Sequence, residues 1–275
     1  MVAAIRYLPP ISKAALELTR LLGERGASNE GVVRVLRQDA VLTARLLRAC
    51  NSPAQGLREP VASVEQAVLL LGYEQISQFV IALALRGSLS RPLGAYGLQS
   101  EGLWRHSVLS ATAAELAVRE GAELGIEPAV AFTAGLLHDI GKLVTNEFVT
   151  REGLVRAREL VLEGVPFVEA EREVLGADHA EVGAALAYLW HLPEILVEAI
   201  ALHHKPVLQP RPRLSALAGL GNVLAHRAEH GSVPTDAGPE KELLAVLGFI
   251  PEQVHGLLAR LAQGLKLDGC MALEV

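Results

Sequence analysis

The sequence predicts an all-α protein: an N-terminal helical bundle packed on a second helical bundle. Three observations predict it. Of the 275 residues, 51% are hydrophobic and only 4% aromatic. A Leu- and Ala-rich, aromatic-poor apolar set favours helices over strands. Apolar residues recur at helical spacing, as in Ala14, Ala15, Leu18, Leu21 and Leu22, and no stretch shows the period-2 alternation of a half-buried strand.

The elements follow in order. Leu8-Pro9-Pro10 reads as extended chain, because proline biases its predecessor away from helix. A helix from Ser12 ends at Gly23, a second spans about 28–37, and a third opens at Asp39, an N-cap residue type. Asn51-Ser52-Pro53 and Gln55-Gly56 break the pattern. Ser63 and Gln66 form a capping box for a helix that stops at Gly72, and another runs from Glu74 to Arg86. Gly87, Ser88, Ser90, Pro92, Gly94 and Gly97 make the clearest linker. It divides the chain into residues 1–97 and 98–275.

Beyond it, a long helix over about 101–121 carries His106, and a helix opened by Pro128 reaches His138. Short helices are expected near 142–150, 153–163 and 166–174. Asp178 and Glu181 make a capping box for a helix to Trp190. Pro193 starts a helix ending at His203-His204, one more covers about 213–229, and two short ones close the chain.

Charge and cysteine content narrow the function classes. The net charge of -6 argues against broad nucleic-acid binding, which needs Lys and Arg to neutralise phosphates. Cys50 and Cys270 have no metal-binding spacing and read as ordinary apolar residues in a reducing compartment. The N-terminus lacks the pattern of a signal peptide, and no stretch reaches the roughly 18 uncharged apolar residues that span a bilayer. The expected setting is the cytoplasm, with no membrane partner.

The chemistry lies in the histidines. In Leu136-Leu137-His138-Asp139-Ile140-Gly141-Lys142 a carboxylate directly follows a long apolar helix. Such a charge is costly unless something neutralises it. Adjacent ligands reach one site where the helix breaks, which Gly141 permits, and Lys142 lies one turn on from His138. His203-His204 is a second pair, at a helix C-terminus; His106 and His179 lie on two further helices, with Gly183 one turn after His179 leaving room for a neighbour. Each alone has a plainer role, since a lone His is more often structural and a His pair can cap helix carbonyls. His191, His226, His230 and His255 read as structural or solvated. Neutral imidazoles suit Fe, Mn, Ni or Zn, and a carboxylate such as Asp139 can bridge two ions. Two bridged ions can activate a water and clamp a phosphoryl group.

The order His106, His138-Asp139, Lys142, His179, His203-His204 resembles the HD superfamily of metal-dependent phosphohydrolases. It is similar in particular to the HD-GYP branch, which hydrolyses cyclic di-GMP. Leu103-Trp104-Arg105-His106-Ser107, Asp178-His179-Ala180-Glu181-Val182-Gly183 and Trp190-His191-Leu192-Pro193 match locally as well. In the N-terminal part, Leu8-Pro9-Pro10, Asp39 to Arg48, Asn51-Ser52, Ser63 to Val68 and Leu71-Gly72 resemble the HDOD domain, an HD-related output domain linked to bacterial signal transduction. The resemblance covers roughly residues 5 to 230.

It implies two ligand sets. One would use His106, His138, Asp139 and position 222; the other would use Asp139 with His179, His203 and His204. The phosphohydrolase pattern ends in an Asp, where this chain has Asn222, an amide with a carbonyl oxygen but no charge. The Gly-Tyr-Pro segment of HD-GYP enzymes is absent too. The expected function is a regulatory HDOD module without robust catalysis, binding one or two divalent ions and a signalling protein or nucleotide. The alternative is a phosphodiesterase acting on a nucleotide or cyclic dinucleotide, in which Asp139 and Lys142 would serve the reaction.

Overall fold

The computed structural model describes residues 13–23, 29–38, 40–51, 60–121, 124–205, 212–231 and 240–267. Fourteen α-helices lie among the described residues. They are α1 (Lys13–Gly23), α2 (Asn29–Leu36), α3 (Ala40–Cys50), α4 (Val64–Leu89), α5 (Gly102–Glu120), α6 (Pro128–Leu137) and α7 (Lys142–Phe148). The others are α8 (Arg151–Leu162), α9 (Phe167–Leu175), α10 (His179–Leu189), α11 (Glu194–Leu202), α12 (Arg213–His230), α13 (Glu240–Leu247) and α14 (Pro251–Leu267). One 3-10 turn at Gly94–Tyr96 and one isolated antiparallel bridge between Leu93 and Leu98 are the non-α elements. The all-α expectation holds.

Several local expectations change. The helices expected on either side of Gly72 are the two arms of α4, which meet at a kink where Gly72 takes the non-helical angles φ 78° and ψ 160°. α4 also runs through Gly87 to Leu89, so the break before α5 is shorter than the composition implied. At its start the Ser63 side chain accepts from the Gln66 N–H, but Gln66 Oε1 accepts from Ala62, one residue outside the reciprocal capping box. The box at Asp178 and Glu181 is complete. The final helix, α14, has 17 residues and is not short. Leu8-Pro9-Pro10, Asp39, Ser52-Pro53 and Gln55-Gly56 lie outside the described residues.

The core is built mostly from Leu, Val and Ala. One apolar cluster joins Leu18, Leu36, Leu46 and Ile81 to Leu103, Leu136 and Ile200. A second joins Leu109 and Ala113 to Leu217, Leu224 and Leu257. α4 is the one described helix long and apolar enough, by length and composition, to cross a membrane. Half of that stretch is buried in the bundle, against α1, α2, α3, α5 and α6.

Glycines set how closely the central helices approach. A methyl group at Gly135 of α6 would lie 2.7 Å from the Ser110 carbonyl oxygen of α5. One at Gly221 of α12 would lie 2.4 Å from the same oxygen. α5 is thus held between α6 and α12 at one point, Ser110, one turn beyond His106. Adding a methyl there forces backbone apart, and overpacking of this kind costs about 1–3 kcal/mol. Gly221→Ala should therefore lower the thermal midpoint. Gly256→Ala, on exposed helix with nothing within 4 Å of the new methyl, should raise stability by about 0.5–1 kcal/mol. Thermal denaturation followed by circular dichroism measures both; equal effects at the two positions would contradict the packing argument.

Candidate metal centre

α6 ends as the chain tightens into i→i+3 hydrogen bonds. The Ile140 N–H donates to Leu137 (3.0 Å) and the Lys142 N–H donates to Asp139 (2.9 Å). This turn carries His138 and Asp139 to the buried end of α6 and launches α7. Gly141 sits in it with ordinary right-handed backbone angles. Its lack of a side chain serves closeness of approach: a methyl there would lie 1.9 Å from the His179 carbonyl oxygen of α10. Gly183 completes the contact, since a methyl on it would lie 3.1 Å from the Gly141 nitrogen. The room expected beside Gly183 is filled by the His138–Lys142 turn.

The site is arranged around Asp139, which is 1% exposed. Its Oδ1 lies 3.2 Å from His179 Nε2 and 3.8 Å from His203 Nε2. Its Oδ2 lies 3.3 Å from His138 Nε2, 3.7 Å from His106 Nε2 and 2.5 Å from Lys142 Nζ. His204 Nε2 is 2.9 Å from His179 Nε2. The two oxygens thus face two ligand sets. Asp139, His179, His203 and His204 offer ligand atoms all within 4.8 Å of one another, and so do His106, His138 and Asp139. Asn222 meets His106, its Oδ1 3.0 Å from His106 Nε2.

Neighbouring groups fix the proton positions. His138 Nδ1 lies 2.7 Å from the Gly135 carbonyl, and His203 Nδ1 2.7 Å from the Ile200 carbonyl. A carbonyl only accepts, so each Nδ1 carries the proton and each Nε2 presents a lone pair toward Asp139. His179 Nδ1 meets Glu171 Oε2 at 2.5 Å, and the His179 backbone N–H donates to the same oxygen. Tyr96 donates its hydroxyl to the other Glu171 oxygen and also contacts the Thr145 hydroxyl.

The charge states follow from these contacts. Burial pushes the Asp139 carboxyl upward, but His138 and Lys142 overcome it and hold the group well below the usual carboxylate range. Burial and the nearby His204 and His138 hold His203 neutral, well below its ordinary value. Burial, only partly offset by Asp139, also lowers His138. His179 goes the other way: burial opposes its charge, yet Glu171 and Asp139 raise it to about 9. His179 and Glu171 form a buried ion pair.

The donor set fits a divalent ion. Ligand atoms on a shared ion about 2.1 Å away lie roughly 3–3.5 Å apart; the His179 and His138 nitrogens fall in that range from Asp139, at 3.2 and 3.3 Å, and those of His106 and His203 lie just beyond it, at 3.7 and 3.8 Å. His138 Nε2 is buried without a hydrogen bond, a lone pair that an ion would satisfy. Neutral imidazoles with one carboxylate suit Fe, Mn, Ni or Zn.

Glu171, Tyr96 and Glu229 were not singled out in the sequence. Glu171 could have been: it shares an apolar stripe with Phe167, Ala170 and Val174 on α9, where a charge needs a buried partner. His226, read as structural or solvated, stands beside His106 with ring centroids 4.5 Å apart. Burial and the nearby His106 push it down to about 3.

Comparison with known proteins agrees with this architecture. An uncharacterised Treponema pallidum protein is 25% identical over 264 residues, covering 94% of this chain and 49% of that protein. Ribonuclease Y of Thermus thermophilus is 31% identical over 156 residues, covering 54% of this chain and 22% of that protein. The chain therefore spans half or less of the length of these relatives. A Shewanella amazonensis crystal structure, provisionally named a phosphohydrolase, superposes with a TM-score of 0.72 at 26% identity, covering 99% of this chain and 96% of that one. An HDOD domain protein of unknown function from Geobacter sulfurreducens gives 0.74 at 24% identity, covering 99% and 94%, and shares the fold. The sequence pattern of the HDOD domain matches residues 8–206, and with most of its length inside that match the chain belongs to the HDOD domain family.

Proposed function

We propose that the chain is a regulatory HDOD module of bacterial signal transduction that holds one divalent ion on Asp139, His179, His203 and His204, and responds to a signalling protein or a nucleotide. The observation behind this is the asymmetry of Asp139. Its Oδ1 faces a complete set of imidazoles, whereas Oδ2 is engaged by Lys142 Nζ at 2.5 Å. His106, on that second side, is turned toward the uncharged Asn222. When bound, the ion supplies a Lewis-acid charge at this point. The protein's part is to orient the ligands: the Gly135 and Ile200 carbonyls and Glu171 fix three rings, and the glycine contacts fix the helices that carry them. An ion there ties α10 and α11 to the α6–α7 turn, the linkage a ligand-sensitive module needs to favour one helical arrangement.

Phosphodiester hydrolysis is the second reading. Lys142 is the observation that favours it, a cation at the centre able to meet an anionic oxygen. The Shewanella relative's provisional name points the same way.

Elemental analysis of anaerobically purified protein tests the first reading. His203→Ala should remove one ion per chain relative to wild type, and equal content in the two proteins would rule the site out. Asn222→Asp tests why catalysis would be weak. It should raise hydrolysis of a simple phosphodiester by at least about tenfold, some 1.4 kcal/mol in the barrier. If wild type already hydrolyses cyclic di-GMP rapidly and His138→Ala abolishes this, the second reading replaces the first.

The proton on His179 gives a pH dependence. Its value rises from 6.5 to about 9, so near pH 7.5 an incoming ion must displace that proton. Metal affinity should climb with pH until about 9, and binding heats should vary with buffer ionisation enthalpy. Heats that do not depend on the buffer would exclude His179 as a ligand. In metal-free protein the sign reverses: a raised value stabilises fully below 6.5 and is lost as pH rises through about 9. Glu171→Gln should remove that dependence and weaken metal binding about 10–100-fold.

A further inference from the structure

Next to the Asp139 centre the structure assembles a second group of ligand-type side chains. His226 and Glu229 lie one turn apart on α12, on the same face as Asn222. His106 of α5 faces them, its Nδ1 3.0 Å from Glu229 Oε2 and its ring 4.5 Å from that of His226. One ligand atom from each of the three lies within 4.8 Å of the others. The side chains of His106 and Glu229 are each 7% exposed, and Nδ1 of His226 is buried without a hydrogen bond. From this geometry we propose that His106, His226 and Glu229 form a second divalent-cation site, built from two imidazoles and one carboxylate and sharing no residue with the Asp139, His179, His203 and His204 set.

The hydrogen bonds around His106 carry the argument further. Asn222 Oδ1 is 3.0 Å from His106 Nε2, and an amide oxygen only accepts. Nε2 therefore carries a proton, and wherever Nδ1 carries none its lone pair faces a carboxylate oxygen at 3.0 Å. Two acceptors at that distance repel, and a cation between them turns the repulsion into ligation. The other Glu229 oxygen accepts from Arg105 Nε at 3.2 Å, which leaves Oε2 for the ion. His226 is the second nitrogen ligand, a neutral imidazole at neutral pH. Two imidazoles and a carboxylate are a ligand set for zinc or ferrous iron, with positions left open for water or an exogenous ligand. Asn222 thus does more than weaken the Asp139 set: it turns the coordinating edge of His106 one helical turn along α12.

The competing arrangements put a proton on Nδ1 that is donated to Glu229, either on a ring that also donates from Nε2 to Asn222 or beside a reversed Asn222 amide that donates to Nε2. Glu229 then only orients His106, and no ion binds. Cobalt titration of the metal-stripped full chain separates ion binding from these, read by equilibrium dialysis and visible absorption, with folding checked by circular dichroism. His226→Ala and the near-isosteric Glu229→Gln should each lower the stoichiometry by one ion per chain. In a His203→Ala background that ion should remain, and adding His226→Ala should remove it. His226→Asn, which keeps a polar side chain of similar size, serves if the alanine variant does not fold. Unchanged stoichiometry and affinity in the folded His226 and Glu229 variants would overturn the proposal. Loss of an ion in the His226 variants but not in His203→Ala would support this site and overturn the Asp139 assignment. Wild type that binds no cobalt would overturn both.

Discussion

A carboxylate buried to 1% exposure at the meeting point of several helices is the constraint on which this structure depends. Left alone in an apolar interior, an ionised Asp139 would cost far more than any one contact returns. The protein keeps it charged by surrounding it. α5 supplies His106, the turn between α6 and α7 supplies His138 and Lys142, α10 supplies His179, and the end of α11 supplies His203 and His204. No helix can leave without exposing the charge or stranding it. Removing one partner of such a buried charge typically costs about 3–5 kcal/mol, a large share of a domain's stability. Helix packing and charge compensation are here a single event.

That arrangement needs backbones closer than ordinary side chains allow, and the glycines provide the closeness. Gly135 and Gly221 both press on one carbonyl, that of Ser110. His106, one turn before it on α5, is thereby brought to Asn222 on α12 and toward Asp139. Gly141 and Gly183 do the same between the His138–Lys142 turn and α10. Neither pair is needed for unusual backbone angles; both are needed because a methyl group would occupy space already held by a neighbouring backbone.

Much of this was legible in the sequence, for physical reasons that differ from element to element. The helices were legible because apolar residues at 3.6-residue spacing leave few alternatives, and the Asp178–Glu181 box because both its bonds are local. The clustering of the histidines around Asp139 was legible by order and spacing, although each His alone carried little. Gly72 was legible as a break: its φ of 78° and ψ of 160° are non-helical and separate the two arms of α4 at a kink. The capping bond of Gln66 missed its expected partner by one residue, a shift that sequence does not encode. Glu171 left a local signal, a charge on an apolar helix face eight residues before His179, whereas Glu229 was hidden by distance. Glu229 meets a histidine 123 residues away, and such a pairing is set by the fold alone.

Position 222 ties these threads together. With a charged residue there, Oδ2 of Asp139, His106 and His138 would share an anionic fourth ligand, and two ions could sit on opposite sides of one carboxylate. With Asn222 the balance shifts. The amide engages His106 without adding charge, Lys142 Nζ takes the Oδ2 side, and negative charge on α12 next appears at Glu229, already paired with Arg105 and facing the far edge of His106. The electrostatics on the His179 side of Asp139 is untouched by this change, because its compensating groups come from α9, α10 and α11. Asn222 therefore separates what a paired site would have joined: on one side the imidazoles of His179, His203 and His204 converge on Oδ1, and on the other His106 faces a carboxylate further along α12. Loss of paired-ion chemistry and retention of a structural ion site are compatible outcomes of the same fold, since they draw on opposite oxygens of Asp139.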